Sequence, residues 1–359
     1  MGVVYTKYPF IEDENLSREV LSKVPGKHFI VETDSVSFGP TVLSAVLANV
    51  MSLSDEKIVF VFPSIASRYV EIPKNERMVT VFLNHGWGTK LVPSVRAAEE
   101  SLELRVCAAA RKFTDYIICY SEFDGTYFLQ HPLLNGLPLP KFVPLGHPRN
   151  DFIVQNKNNS NYKMEIRKKL AVSENSKVFL IAPTFRDFLK DYNEEIVKLY
   201  ETEIEELSKM LDERTYVLYR PHHYLGLNVQ KSRWSNVIIC DAKTFPDPRP
   251  LMLASDILVT DYSSIFVDFL LLDRRIVFFQ PDLQKYQKVR GLAIDPNNKI
   301  HMPGPKINHL SELLELSEND FAEYNLEESK RFFHKYSDAN ATNRFAKFLT
   351  EILQKGVRP

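Results

Sequence analysis

The chain has 359 residues, a formal net charge of −1 and 44% hydrophobic residues. That length predicts about two domains of roughly 150 residues each, and the charge excludes a global basic field for nucleic acid. Its three cysteines, Cys107, Cys119 and Cys240, show no CxxC spacing, so neither a disulfide framework nor a zinc site is indicated and a reducing compartment is expected.

The opening MGVVYTKYPFIEDENLS has no signal-peptide core, and no run approaches the ~20 apolar residues of a membrane span. Short β-branched and aromatic runs then alternate with helical patterns. Strands are predicted at 29–33, 57–62, 78–83, 116–120 and 142–145, with helices near 40–51, 93–113 and 121–131. The polar stretch QNKNNSNYK (155–163) reads as a surface linker. The alternation restarts after it. Strands are predicted at 178–183, 215–220, 236–240, 256–260 and 276–280, with helices at 162–171, 193–212, 248–254 and 263–273 and a helical tail. Such alternation argues for parallel α/β sheets. Three segments are expected: an N-terminal domain over 1–154, a second α/β domain over 155–335, and a C-terminal helical segment over 336–359. Ligands of such sheets bind beyond the carboxyl ends of strands, so the residues that follow strands carry the functional argument.

The loop after the 78–83 strand reads Asn84-His85-Gly86-Trp87-Gly88-Thr89-Lys90. Its glycines permit close backbone approach, His85 titrates near neutral pH and suits a general base, and Lys90 adds positive charge. The alternative is a histidine that only caps the turn. After 142–145 comes Gly146-His147-Pro148-Arg149-Asn150-Asp151, a rigid turn in which Asn150 and Asp151 read as polar caps. After 178–183, Thr184 and Arg186 offer a hydroxyl and a guanidinium for an anion, or Arg186 and Asp187 are surface charges. After 215–220, Arg220 and His222 are two apart and share a face on extended backbone, able to clamp a diphosphate; a metal site is the alternative, but no third ligand has suitable spacing.

The longest signal is ASDILVTDYSSIFVDFLLLDRRIVFF (254–279). A strand runs into Asp261, then Ser263 and Ser264 open a helix. A serine suits the N-cap, and a helix N-terminus is a phosphate site. Asp268 lies one turn beyond Ser264 on the same face. It is surrounded by Ile265, Phe266, Val267, Phe269, Leu270, Leu271 and Leu272, so an acid there must be paired or functional. Further on, Arg290-Gly291 and Pro303-Gly304-Pro305 are cationic and rigid loop elements. GxGxxG and P-loop patterns are both missing, and no Asp-x-Asp metal motif follows a strand.

In this order, NHGWGTK (84–90), LGHPRND (145–151), APTFRD (182–187), RPHH (220–223), the 254–279 stretch, RG, PGP (303–305) and SDANATNRFAKFL (337–349) resemble the CDP-glycerol glycerophosphotransferase family, the teichoic-acid and capsule polyol-phosphate transferases. The likeness covers residues 84–349. It departs in the HG loop, where Asn84 precedes the motif and Trp87-Gly88 follow it, in place of an aromatic before and a threonine-proline pair after.

The resemblance implies a GT-B-like α/β fold. That means two Rossmann-like domains with parallel sheets and an inter-domain cleft, an acceptor-binding N-terminal domain, a donor-binding C-terminal domain, and a C-terminal helix crossing back onto the first. It implies His85 as general base, and Gly86, Lys90 and Arg149 are expected to bind substrate. Arg220 and His222 fall on the donor diphosphate, Ser263 and Ser264 on phosphate and Asp268 on ribose. Thr184, Arg186, Asp261 and Arg290 are expected as further substrate-binding residues. The implied reaction moves a polyol phosphate from CDP-glycerol or another CDP-polyol to a hydroxyl of a saccharide, lipid-linked or polymer acceptor, releasing CMP; with no Asp-x-Asp motif in a suitable loop, neither a metal nor another cofactor is expected. The implied location is cytoplasmic, with peripheral contact at the inner membrane surface through the 131–143 loop and the 93–113 helix, where Arg96, Arg105, Arg111 and Lys112 lie, or else that helix is an ordinary amphipathic core helix. Rival readings are a GT-B glycosyltransferase using a UDP- or GDP-sugar and a non-catalytic nucleotide-binding scaffold subunit.

Overall fold

The computed structural model describes residues 1–6, 15–31, 57–62, 77–83, 86–91, 94–95, 102–124, 135–186, 190–221, 234 and 236–355. The chain divides into two compact units, Met1–Phe152 with Phe332–Pro359, and Ile153–Arg331.

The first unit is built on a parallel sheet of β1 (Gly2–Thr6), β2 (Lys27–Val31), β3 (Ile58–Phe62), β4 (Met78–Phe82), β5 (Tyr116–Cys119) and β6 (Lys141–Pro144), in the order β2-β1-β3-β4-β5-β6. Helices cover both faces, which is why these strands read as continuous apolar runs. Alternate residues go to opposite sides. Val3, Tyr5, Val59, Val61, Val79 and Val81 pack with Val20 and Leu21 of the helix Leu16–Ser22 and with Phe345, Leu349 and Leu353 of the helix Ala341–Lys355. Val4, Phe60, Phe62 and Phe82 go to the other side, onto Leu104, Cys107 and Phe113 of the helix Leu102–Phe113.

The second unit repeats the plan with β7 (Lys177–Ala182), β8 (Thr215–Tyr219), β9 (Val237–Ile239), β10 (Ile257–Thr260), β11 (Arg275–Phe279) and β12 (Lys306–Ile307), in the order β12-β11-β10-β7-β8-β9. Every pairing is parallel, including β10 with β7 and β10 with β11. Tyr192, Ile196, Tyr200, Ile204 and Leu207 of the helix Lys190–Ser208 cover one face of it. From β7 the chain proceeds outward to β8 and β9, then returns to place β10 on the other side of β7. The loops after β7 and β10 therefore diverge, and this reversal is where open α/β sheets bind ligands.

The expected α/β class, with two Rossmann-like parallel sheets, is what the structure shows. The expected linker at 155–163 is different. It is mostly the ends of two helices, Asp151–Asn156 and Ser160–Lys169. Its polar residues serve those ends: the Asn159 side chain accepts the Tyr162 amide at 3.1 Å as an N-cap. The helix expected over 263–273 is also shorter. It runs Ile265–Phe269, passes into a 3₁₀ turn at Leu270–Leu272 and stops where Asp273 takes a left-handed conformation, φ 56°. The helices expected at 40–51 and at most of 121–131 lie outside the described residues.

Candidate active site

The carboxyl ends of β7, β10 and β11 meet around one guanidinium. Arg186, fully buried, lies just beyond β7. Its Nη1 donates to Asp261 Oδ2 at 2.9 Å, and its Nε and Nη2 donate to the two oxygens of Asp282 at 2.8 and 2.9 Å. The fork on Asp282 is bidentate, the strongest guanidinium–carboxylate geometry. Asp261 also accepts the Thr184 amide at 2.8 Å and its neighbour Tyr262's amide at 2.6 Å. Asp282 further accepts the hydroxyls of Tyr192 and Tyr262. Burial pushes the Asp282 carboxyl up, but Arg186 and the two hydroxyls outweigh it and hold it below the usual carboxylate range. Burial likewise works against the charge on Arg186, and the two carboxylates overcome it. Arg186 is thus an interior cation rather than a surface charge.

Directly after this buried frame the chain surfaces. Asp261 and Tyr262 are buried, whereas Ser263, Ser264 and Ile265 are half-exposed. Ser264 is the N-cap residue of the short helix but makes no side-chain capping bond. Ser263 Oγ lies 3.4 Å from the Ile265 amide instead. Asp268, one turn on, is buried. Arg290 ends the helix Leu283–Val289, its amide donating to the Tyr286 carbonyl at 2.8 Å. Gly291 follows at φ 80°, a conformation that glycine adopts without cost.

Arg220, at the end of β8, is half-exposed. Its Nη1 donates to the carbonyls of Cys240 and Phe245 at 3.2 and 2.6 Å, and its Nη2 to that of Pro246 at 3.2 Å. It therefore shapes the 240–246 loop, and burial lowers its pKa. The structure brings Thr184, Arg186, Asp261, Ser263, Ser264 and Asp268 to one strand-end region of the second unit. His222 lies outside the described residues.

In the first unit, His85 also lies outside the described residues, while Gly86 is buried and Lys90 half-buried. Arg149 is buried, with its Nη2 on the Tyr120 hydroxyl at 3.0 Å. Asp151 does not cap its own turn. It accepts the amides of Ala341 and Thr342 at 2.9 and 2.8 Å, at the start of the C-terminal helix. Of the basic residues expected near a membrane, Arg111 is buried and donates to the Pro138 carbonyl at 3.1 Å, while Arg105 and Lys112 are exposed. Arg96 lies outside the described residues.

Sequence reasoning missed Asp282, Tyr192, Tyr262 and Tyr286. The available signal was Asp282 itself, a carboxylate three residues past β11, since a guanidinium among apolar strands needs such a partner. Among the described residues, no group of three His, Cys, Asp or Glu side chains is gathered closely enough to hold a metal ion.

Residues 45–351 match the family described as CDP-Glycerol:Poly(glycerophosphate) glycerophosphotransferase. The chain belongs to that family. Among its relatives, the chain is 34% identical over 203 residues to the teichoic acid poly(glycerol phosphate) polymerase of Bacillus subtilis, a match covering 56% of this chain and 26% of the polymerase. It is 30% identical over 240 residues to the teichoic acid glycerol-phosphate primase of the same organism, covering 67% of this chain and 58% of the primase. The chain thus spans only about a quarter of that polymerase. The solved structure of the wall teichoic acid polymerase TagF superposes with a TM-score of 0.70 at 21% identity, covering 99% of this chain and 89% of that one. A UDP-GlcNAc 2-epimerase from Neisseria meningitidis superposes with a TM-score of 0.57 at 15% identity, covering 98% and 100%. Both likenesses show a GT-B-like fold.

Proposed function

We propose that this glycerophosphotransferase-family chain transfers glycerol phosphate from CDP-glycerol to a hydroxyl of a saccharide, lipid-linked or growing polymer acceptor in teichoic-acid-like polymer synthesis. The acceptor oxygen forms a bond to the β-phosphorus, the bond to the CMP oxygen breaks, and CMP leaves with the electron pair. The observation that carries this reading is the half-exposed Ser263–Ser264 turn at the strand-order reversal of the second unit, in a chain of this family.

In this reading the serine hydroxyls hold the donor phosphates and Asp268 accepts hydrogen bonds from ribose. Arg290, Arg220 and His222 offset charge on the departing CMP, and Thr184, Arg186 and Asp261 shape the site. Phosphoryl transfer depends on positioning and charge neutralisation more than on covalent catalysis, and these residue types suit that demand. On the acceptor side, His85 removes the hydroxyl's proton, a contribution of typically ~10²–10⁴-fold, while Gly86, Lys90 and Arg149 line the approach. Residues 1–154 form the acceptor domain, 155–335 the donor domain, and 336–359 the helix returning to the first. No metal or further cofactor enters the scheme.

The reaction runs on the cytoplasmic side, with peripheral contact at the inner membrane surface. Among the described residues, no helix is long and apolar enough to cross a membrane. Leu139 is 63% exposed beside the exposed Lys141, which suits such contact. Mass spectrometry of products from CDP-glycerol, CDP-ribitol and UDP-sugars with a lipid-linked saccharide tests the reading. Glycerol phosphate added to the acceptor with release of CMP supports it. Sugar transfer with release of UDP, or no turnover by the folded chain, overturns it.

A further inference from the structure

The Arg186 frame places one cation against two carboxylates in the interior, with four side-chain N–H···O contacts to Asp261, Asp282 and the Thr184 carbonyl. Replacing such a group whole by apolar residues of similar volume often costs no stability, because the desolvation penalty goes with it, although breaking it by removing one partner does. What it fixes is geometry. The Tyr262 hydroxyl donates to Asp282 Oδ1 at 3.0 Å. Its ring stacks on Tyr286 with centroids 4.0 Å apart and planes at 16°. The Arg186 guanidinium carbon lies 5.0 Å from both ring centroids, within cation–π range. The backbone amide of Tyr262 is held by Asp261. Tyr262 is therefore fixed at its hydroxyl, ring and amide, and the next two residues are Ser263 and Ser264. On the far side of the stack, the Tyr286 carbonyl accepts the Arg290 amide. One stacked pair thus ties the serine turn to Arg290.

We infer that Arg186, Asp282 and Tyr262 are positioning residues that hold the Ser263–Ser264 turn and Arg290 in register for the donor's phosphates. None of the three need touch the donor. The inference rests on the donor site proposed above.

Tyr192 supplies the control. Its hydroxyl also donates to Asp282, but it belongs to the helix Lys190–Ser208 and does not lead into the serine turn. Tyr262→Phe and Tyr192→Phe each remove one hydroxyl from the same carboxylate and keep the ring, so both are expected to fold with similar small losses in Tm. In steady-state kinetics, Tyr262→Phe raises the donor KM roughly 3–10-fold, the effect of one hydrogen bond, and leaves the acceptor KM unchanged. Tyr192→Phe changes the donor KM less than about twofold. Hydrogen exchange of the unliganded proteins gives the second reading: the amides at 263–266 exchange faster in Tyr262→Phe than in Tyr192→Phe. Equal effects of the two variants on exchange, or none from either, overturn the inference and leave the frame a stability element. Failure of the wild-type chain to bind CDP-glycerol instead overturns the donor reading, and the exchange comparison still decides the frame.

Discussion

Asp151 and Ala341 stand 190 residues apart, yet the Asp151 carboxylate accepts the Ala341 amide at 2.9 Å and the adjacent Thr342 amide at 2.8 Å. Two amides at the start of the C-terminal helix are satisfied by the first residue of the helix Asp151–Asn156 rather than by a local cap. Arg344 returns the contact, its Nε donating to the Leu145 carbonyl at 2.8 Å. Asp151→Ala is expected to lower stability by about 0.5–2 kcal/mol, the usual cost of a lost cap, read as a lower urea midpoint. An unchanged midpoint would remove the cap from the account.

The same helix supplies apolar side chains to the first sheet. Leu349 is fully buried. Leu349→Ala is expected to cost about 2–5 kcal/mol through lost burial and the cavity left behind, again by chemical denaturation. A cost under about 1 kcal/mol would mean that the helix packs more loosely than described.

Gly304 has no room for a side chain. A Cβ there would stand 1.9 Å from the Ile276 carbonyl oxygen, on the strand that β12 joins. Gly304→Ala is expected to cost about 1–3 kcal/mol or more through a forced backbone shift. Gly291→Ala, which is strained at φ 80°, should cost about 1–2 kcal/mol from that strain. Thermal melts of the two variants check the order, and a melt of Gly304→Ala matching the wild type would contradict the close approach.

Acid should weaken the second unit. Burial raises Asp282 and Asp256, but Arg186 with two tyrosine hydroxyls, and Lys163 with Arg167, outweigh it and hold both carboxyls below their ordinary values. Both therefore contribute stability that is complete above the unfolded value of about 3.9 and disappears as pH falls through the lower folded values. Asp151 opposes this in the first unit, since burial holds it above the ordinary value. Differential scanning calorimetry from pH 7 down to about pH 2.5 should show a unit-2 transition that drops steeply below about pH 4. A flat Tm across that range would contradict the ion-pair geometry.

Ten strands were legible from β-branched and aromatic runs, because most strand positions in these packed parallel sheets are apolar. β1 was missed although it is central, paired with both β2 and β3. Its residues, GVVYT, have no helical pattern before them to mark the alternation. β12 has two residues and exists through its pairing with β11, so no run was there to read. In the site, Asp261, Ser263, Ser264 and Asp268 were legible because a strand leads straight into them. Asp282 and Tyr192 were not, since their link to Arg186 spans 96 residues in one case and acts through Asp282 in the other. The PGP and LGHPRND stretches looked like generic turns. Their constraints, a backbone crossing at Gly304 and a remote helix start at Asp151, are tertiary.

The central claim is that the donor's phosphates and ribose dock on the turn at Ser263–Ser264 and on Asp268. Calorimetric titration of CDP-glycerol into the wild type and into folded Ser264→Ala and Asp268→Asn variants tests it most directly. The account predicts wild-type binding and a loss of roughly tenfold in each variant, about 1.4 kcal/mol, while His85→Ala binds the donor normally and fails to turn it over. Wild-type affinity in both variants, with their melts intact, would contradict it.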